Sequence, residues 1–130
     1  MSFEPREILI VDDSLPTTRA LAELLMREGY EVAAYTNGQD ALRYLSVGRP
    51  VAAVVDIHLP DISELAISQY IRQQRGPDLP IIIISGDASM TNINSLSIVG
   101  ATYFYSKPVK AATLIQRLRE LLSPKTAAPS

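Results

Sequence analysis

Five residues that could take part in chemistry stand at the ends of apolar runs. They are the acidic pair Asp12 and Asp13 after I-L-I-V, Asp56 after V-A-A-V-V, Ser85 after four isoleucines, and Lys107 after T-Y-F-Y-S. Singly, each has an ordinary use: the aspartates can cap helices, Ser85 can begin a turn, and Lys107 can be a solvated lysine. Brought to one place, they do something else. Three close carboxylates repel and call for a cation between them. Lys107 supplies one positive charge, and Mg²⁺ is the natural second, a hard ion held by one or two carboxylates together with a phosphate. Zinc fits poorly, because the chain has no cysteine and one histidine. Metal, lysine and hydroxyl would cradle the oxygens of a phosphoryl group in transfer, where positioning and charge neutralisation do most of the catalysis. Asp56, alone at the centre of the array, would be the nucleophile that becomes an aspartyl phosphate.

These residues converge only if the apolar runs are parallel strands. Val51 to Pro60, V-A-A-V-V-D-I-H-L-P, opens with small and β-branched residues without polar alternation, the pattern of a strand buried on both faces. Glu7 to Val11 and Ile81 to Ile84 read the same way, and Thr102 to Tyr105 is aromatic and β-branched. Glu31 to Tyr35 alternates in part and suits an edge. Between the strands lie helical patterns. The first opens at Ser14 and Pro16 and stops at Gly29; the second starts at Asn37 and stops at Gly48 and Pro50; the third runs from Glu64 to Gln74. Ser89 to Val99 is a weak helical pattern rich in Asn and Ser, and Ala111 to Leu122 is the cleanest amphipathic one. Five strands alternating with five helices demand a doubly wound α/β fold, with right-handed crossovers and helices on both faces. In such a sheet all the carboxyl ends lie at one edge, with neighbouring strands about 4.8 Å apart.

Composition narrows the partners. A chain of 130 residues fits one domain, placed at residues 1–122, with S-P-K-T-A-A-P-S at 123–130 as a flexible tail or the start of a linker. The absence of cysteine rules out disulfides and a thiolate nucleophile and suits a reducing compartment. Twelve basic against fourteen acidic residues leave a net charge of -2, with no electrostatic footprint for nucleic acid or an anionic membrane. M-S-F-E-P-R-E lacks the pattern of a signal peptide, and no apolar run approaches the roughly 20 residues of a membrane span, so a cytoplasmic location is the expectation.

Four fragments carry a family resemblance: V-D-D at residues 11–13, V-D-I-H-L-P at 55–60, S-G-D at 85–87, and G-A-T-Y-F-Y-S-K-P at 100–108. In this order and spacing the chain resembles the receiver domain of two-component response regulators. The resemblance implies a flavodoxin-like five-stranded sheet of order 2-1-3-4-5, an order that periodicity does not supply. It implies Mg²⁺ ligands at Asp12, Asp13, Asp56 and the backbone carbonyl of His58, with Asp56 the phosphoacceptor charged by a sensor histidine kinase. Ser85 and Lys107 would bind the phosphoryl oxygens, Phe104 would be the aromatic switch that follows Ser85, and Pro108 would follow a cis bond. The output surface would be the face made by the helix at 89–99, the strand at 102–105 and the helix at 111–122, where a weak helix suits a switch.

Two positions set the chain apart. Glu64 stands where the family usually has glycine, and a backbone with φ > 0 there would be strained and its loop rearranged. His58 occupies a position that in the family tunes the lifetime of the phosphorylated state. Its ring would cover part of Asp56 and, with Asp87, set water access; the alternative is an exposed histidine without effect. A haloacid-dehalogenase-type phosphatase wants its nucleophile in an early D-x-D, whereas here the acidic pair comes first. In a flavodoxin, Asp12 and Asp13 would repel the flavin phosphate. A degenerate receiver acting as an interaction module remains the main rival, against which stand the intact Asp12, Asp13, Asp56, Ser85 and Lys107. The downstream effector, and whether the chain works alone, as part of a larger regulator or as a phosphorylation-dependent homodimer, stay open.

Overall fold

The computed structural model describes residues 6–56, 61, 64–85, 102–106 and 109–122. Its elements follow in the order β1(Glu7–Val11), α1(Leu15–Arg27), β2(Glu31–Tyr35), α2(Gly38–Leu45), β3(Ala52–Asp56), α3(Glu64–Arg75), β4(Ile81–Ser85), β5(Tyr103–Ser106) and α4(Ala111–Leu122). The helix expected over Ser89 to Val99 lies outside the described residues, as does the tail at 123–130. All four strand pairings are parallel, in the order β2-β1-β3-β4-β5. The order implied by the family resemblance is therefore the observed one.

The apolar runs form central strands because they have no face to give to water. Ile8 and Ile10 of β1, Ala52 and Val54 of β3 and Ile82 and Ile84 of β4 pack on one side, against Leu21 and Leu25 of α1 and Leu114, Ile115 and Leu118 of α4. The alternate residues Leu9, Val11, Ala53, Val55, Ile81 and Ile83 pack on the other side, against Ala41 and Leu45 of α2 and Ile67 and Ile71 of α3. The two-residue period of a strand sorts one unbroken run into two cores. β2, only one of whose five residues is buried, takes an edge as its pattern predicts.

Local chemistry ends the helices where the sequence signals them. The Ser14 hydroxyl accepts from the Thr17 N–H to cap α1, and Gly29, at φ 96°, lets the chain leave it. Gly76, at φ 79°, does the same after α3. At the end of the strands remote from the acidic residues, the Tyr44 hydroxyl donates to Glu7, and Arg72 donates to the carbonyls of Gly76 (3.0 Å) and Leu79 (2.8 Å). Burial, and then the bond to Glu7, raise the pKa of Tyr44 well above that of a free tyrosine, so it remains a donor.

Two expectations need correction. The fifth strand begins at Tyr103, not Thr102. Thr102 closes the ladder instead, its N–H donating to Ile81 O (2.7 Å) and its hydroxyl accepting from Ile81 N (3.0 Å). Glu64 is the first residue of α3, a helical position that a glutamate adopts without the strain expected of it; residues 62 and 63 before it lie outside the described residues. Because Ile83 is fully buried in an interior strand and Val47 is 81% exposed, their truncations should separate cleanly. Ile83→Ala should cost about 3 kcal/mol and Val47→Ala less than about 0.5 kcal/mol, read as shifts in urea midpoint at constant m value.

Candidate functional site

Strand parity aims the carboxylates. Asp12 continues the series Ile8, Ile10, and Asp56 continues Ala52, Val54, so both leave the sheet on the side that faces α1 and α4. Val11 pairs with Val55 in register, which sets the two aspartates opposite one another at the carboxyl edge. Asp12, Asp13 and Asp56 each offer an oxygen, and these atoms lie within 4.8 Å of one another. Asp12 is 4% and Asp56 3% exposed, whereas Asp13 faces solvent.

Asp12 also shapes the turn into α1. Its Oδ1 accepts from the Ser14 N–H (2.9 Å), and its own N–H donates to the carbonyl of Tyr35 on β2 (3.1 Å). Beside the cluster, the described residues line a cavity of about 630 Å³, with Asp12 and Asp56 at its polar end and Ile10, Val54, Ile84 and Leu114 in its walls. A donor set made of carboxylate oxygens alone fits a hard divalent cation such as Mg²⁺ and not a soft one.

The other expected site residues are placed less fully. Ser85 is the last residue of β4, paired in register with Ser106, and Ile84 before it pairs with Asp56. The backbone at Ser85 therefore stands one strand over from Asp56 and one residue beyond it. Phe104 is half-buried, packed with the α2 and α3 core beside its register partner Ile83. His58, Asp87, Lys107 and Pro108 lie outside the described residues.

One contact close to the cluster in sequence escaped the sequence reading. The Asp61 carboxylate accepts from the N–H groups of both Gly38 (2.7 Å) and Gln39 (2.9 Å), the first turn of α2. An aspartate after a proline reads locally as a turn residue, and its partners lie 23 and 22 residues away. Only the helix start at Asn37, with its unfilled N–H groups, hinted that an acceptor was wanted there.

The response regulator receiver domain family matches residues 8–119. The chain belongs to that family. It is 31% identical over 118 residues to the response regulator MprA of Mycolicibacterium vanbaalenii, an alignment that covers 91% of this chain and 51% of that protein. The receiver thus spans about half the length of the curated relatives it matches. Among solved structures it is similar to a CheY-like receiver domain protein from Methanospirillum hungatei (28% identity, TM-score 0.83, covering 90% of this chain and 93% of that one). It is also similar to the response regulator TrrA from Thermotoga maritima in complex with Mg(2+)-BeF (29% identity, TM-score 0.79, covering 90% of this chain and 99% of that one). Receiver domains are the phosphorylation-dependent switches of two-component signalling, and the sheet order of this chain is theirs.

Mutual repulsion within the receiver's acidic cluster has a measurable consequence. Asp13 is exposed and forms none of the turn bonds that Asp12 forms. In chelator, Asp13→Asn should therefore raise stability, by about 0.5 kcal/mol after solvent screening. The gain, read from denaturant midpoints, should shrink as sodium chloride is added.

Proposed function

We propose that this receiver takes a phosphoryl group from the phosphohistidine of a sensor histidine kinase, or of a phosphotransfer protein, onto Asp56 and relays the change to a downstream effector. The observation that carries this reading is the convergence of Asp12, Asp13 and Asp56 within 4.8 Å at the carboxyl edge of the sheet. Asp56 is the best-placed nucleophile of the three. It ends the central strand, where its backbone is paired with Ile84 of β4.

In the proposed transfer, an Asp56 oxygen attacks phosphorus in line with the P–N bond. The new P–O bond forms as the P–N electron pair returns to the imidazole, which leaves as a neutral ring once protonated. Asp12, Asp13 and Asp56, with the backbone carbonyl of His58, are the proposed ligands of Mg²⁺. When bound, the ion neutralises negative charge shared between phosphoryl oxygens and carboxylates. Lys107 and Ser85 are proposed to bind the remaining phosphoryl oxygens. The Mg(2+)-BeF complex of the similar TrrA supports the choice of ion. The chain would then be a phosphoacceptor that phosphorylates itself from small donors and slowly loses the group to water, with His58 and Asp87 tuning that loss.

Phe104 is the proposed reporter, following Ser85. The output face would run along the segment at 89–99, β5 and α4, as a contact for an effector or for a second phosphorylated copy. On β5 and α4, Arg117 lies over the Tyr103 ring (4.1 Å to the centroid) and donates to the Tyr105 hydroxyl (3.0 Å), so that face carries an ordered aromatic and cationic patch. Residues 1–122 would form the receiver unit and 123–130 a tail or linker. Its net charge of -2 gives no reason to add nucleic acid as a direct partner. Among the described residues no helix is long and apolar enough to cross a membrane, which supports the proposed cytoplasmic setting.

Incubation with Mg²⁺ and acetyl phosphate, read by intact mass, tests the reading. The wild type should gain one phosphoryl group, and Asp56→Asn or excess chelator should abolish the gain. A wild type that gains nothing would leave the degenerate interaction module as the better account, and a gain that survives Asp56→Asn would move the acceptor elsewhere.

A further inference from the structure

The Asp61 contact closes a ring through the acidic cluster. From Asp12, the backbone N–H donates to Tyr35 O (3.1 Å), the last residue of β2. The chain then runs through Asn37, the cap of α2, to Gly38 and Gln39, whose N–H groups donate to Asp61. Asp61 lies a few residues along the chain from Asp56, and the Asp56 carboxylate meets that of Asp12 within 4.8 Å. Pairing between β1 and β3 ends at Val11 with Val55, so no ladder bond joins Asp12 to Asp56 directly, although Asp56 still pairs with Ile84 of β4.

Two features make the Asp61 contact more than a surface cap. Gly38 is buried, so its N–H needs a partner within the protein, and both carboxylate oxygens are used, one for each N–H. α2 already has a cap of its own. The Asn37 side chain accepts from Asp40 N (2.8 Å), so Asp61 does not replace a missing residue but adds a second tie, from a residue five positions beyond Asp56.

We propose that Asp61 is a positioning residue for the acidic cluster. By tying Asp61, a few residues past Asp56, to the first turn of α2, it adds to the hold of the sheet on the separation of the Asp12 and Asp56 carboxylates at which a divalent cation binds. This rests on the reading of the cluster as a cation site. Coupling is reciprocal: if the clasp favours the cation, the cation must tighten the clasp.

The test compares four proteins, wild type, Asp61→Ala, Asp61→Asn and Asn37→Ala, by calorimetric titration with Mg²⁺ and by amide hydrogen exchange. Asp61→Ala should weaken Mg²⁺ binding on the order of tenfold, as loss of an outer support for a metal site does. Asp61→Asn keeps one acceptor oxygen and should lose less. Asn37→Ala removes a cap of the same helix without touching the clasp, and its Mg²⁺ affinity should match the wild type. In the wild type, Mg²⁺ should slow exchange at Gly38 and Gln39; in Asp61→Ala those amides should exchange fast with or without the ion. Equal affinities in wild type and Asp61→Ala would overturn the clasp and leave the cation site standing. So would an Asn37→Ala loss as large as that of Asp61→Ala, which would assign the effect to the stability of α2. A wild type that does not bind Mg²⁺ would overturn the cation reading and this inference with it.

Discussion

Everything at the active edge depends on holding three carboxylates at a separation their charges oppose. Within 4.8 Å of one another, each pair costs somewhat under about 1 kcal/mol in bulk water and several times that at the lower effective dielectric of a protein surface. Asp12 and Asp56 are nearly buried, so solvent gives them less relief than it gives Asp13. What resists the repulsion is the sheet beneath. β1 and β3 are covered by apolar side chains on both faces, and moving either aspartate means moving a strand out of two cores at once. A site built this way is poised. On the proposed reading a cation relieves this repulsion, because the fold has already brought the anions together.

Core and chemistry are consequently specified by the same pattern. The parity that sends Ile8 and Ile10 toward α1 also sends Asp12 there, and the parity of Ala52 and Val54 does the same for Asp56. A slip of one residue in either strand would turn a carboxylate toward the α2 and α3 core and exchange the side chains that fill the two cores. The cost of burying that charge and repacking both cores guards the register, and through the register it guards the geometry of the cluster. Residues that carry no charge, such as Val54 and Ile10, thus help determine where the charges stand.

This linkage explains why so much was legible in the amino-acid order. Runs such as Ile81 to Ile84 admit one role, an interior strand, and charged residues at the ends of such runs converge as soon as the strands are parallel. Strand order was not legible in that way, because the neighbour of a strand in the sheet leaves no mark in its own periodicity; it came from the family resemblance. The start of β5 differs from expectation by one residue because Thr102 has the β-branched chemistry of a strand and donates its N–H to Ile81, but returns the Ile81 bond through its hydroxyl and not through a backbone carbonyl. Asp61 was missed because a tie across more than 20 residues has no local signature. Sequence signals are strongest where one residue's neighbours along the chain are also its neighbours in space, and the Asp61 to Gly38 bond is the opposite case.

The described elements also divide by how firmly they are held. β1 and β3, which carry Asp12 and Asp56, lie inside the sheet with nearly every side chain buried. β5 is an edge strand, with Tyr103 37% exposed and Phe104 only half-buried. A switch needs both kinds of element: a fixed acceptor, so that the phosphoryl group meets one geometry, and an edge with two arrangements close in energy, so that a new charge can choose between them. On the proposed reading, phosphorylation adds charge at the interior strands and the response falls to an edge strand next to them. On that reading Phe104 joins the two, because it lies on an edge strand while packing with the core that contains its register partner Ile83. The proposed reporter thus touches the same core that holds β1 and β3 in place, and a displacement at the site would reach it through packing and not through a bond.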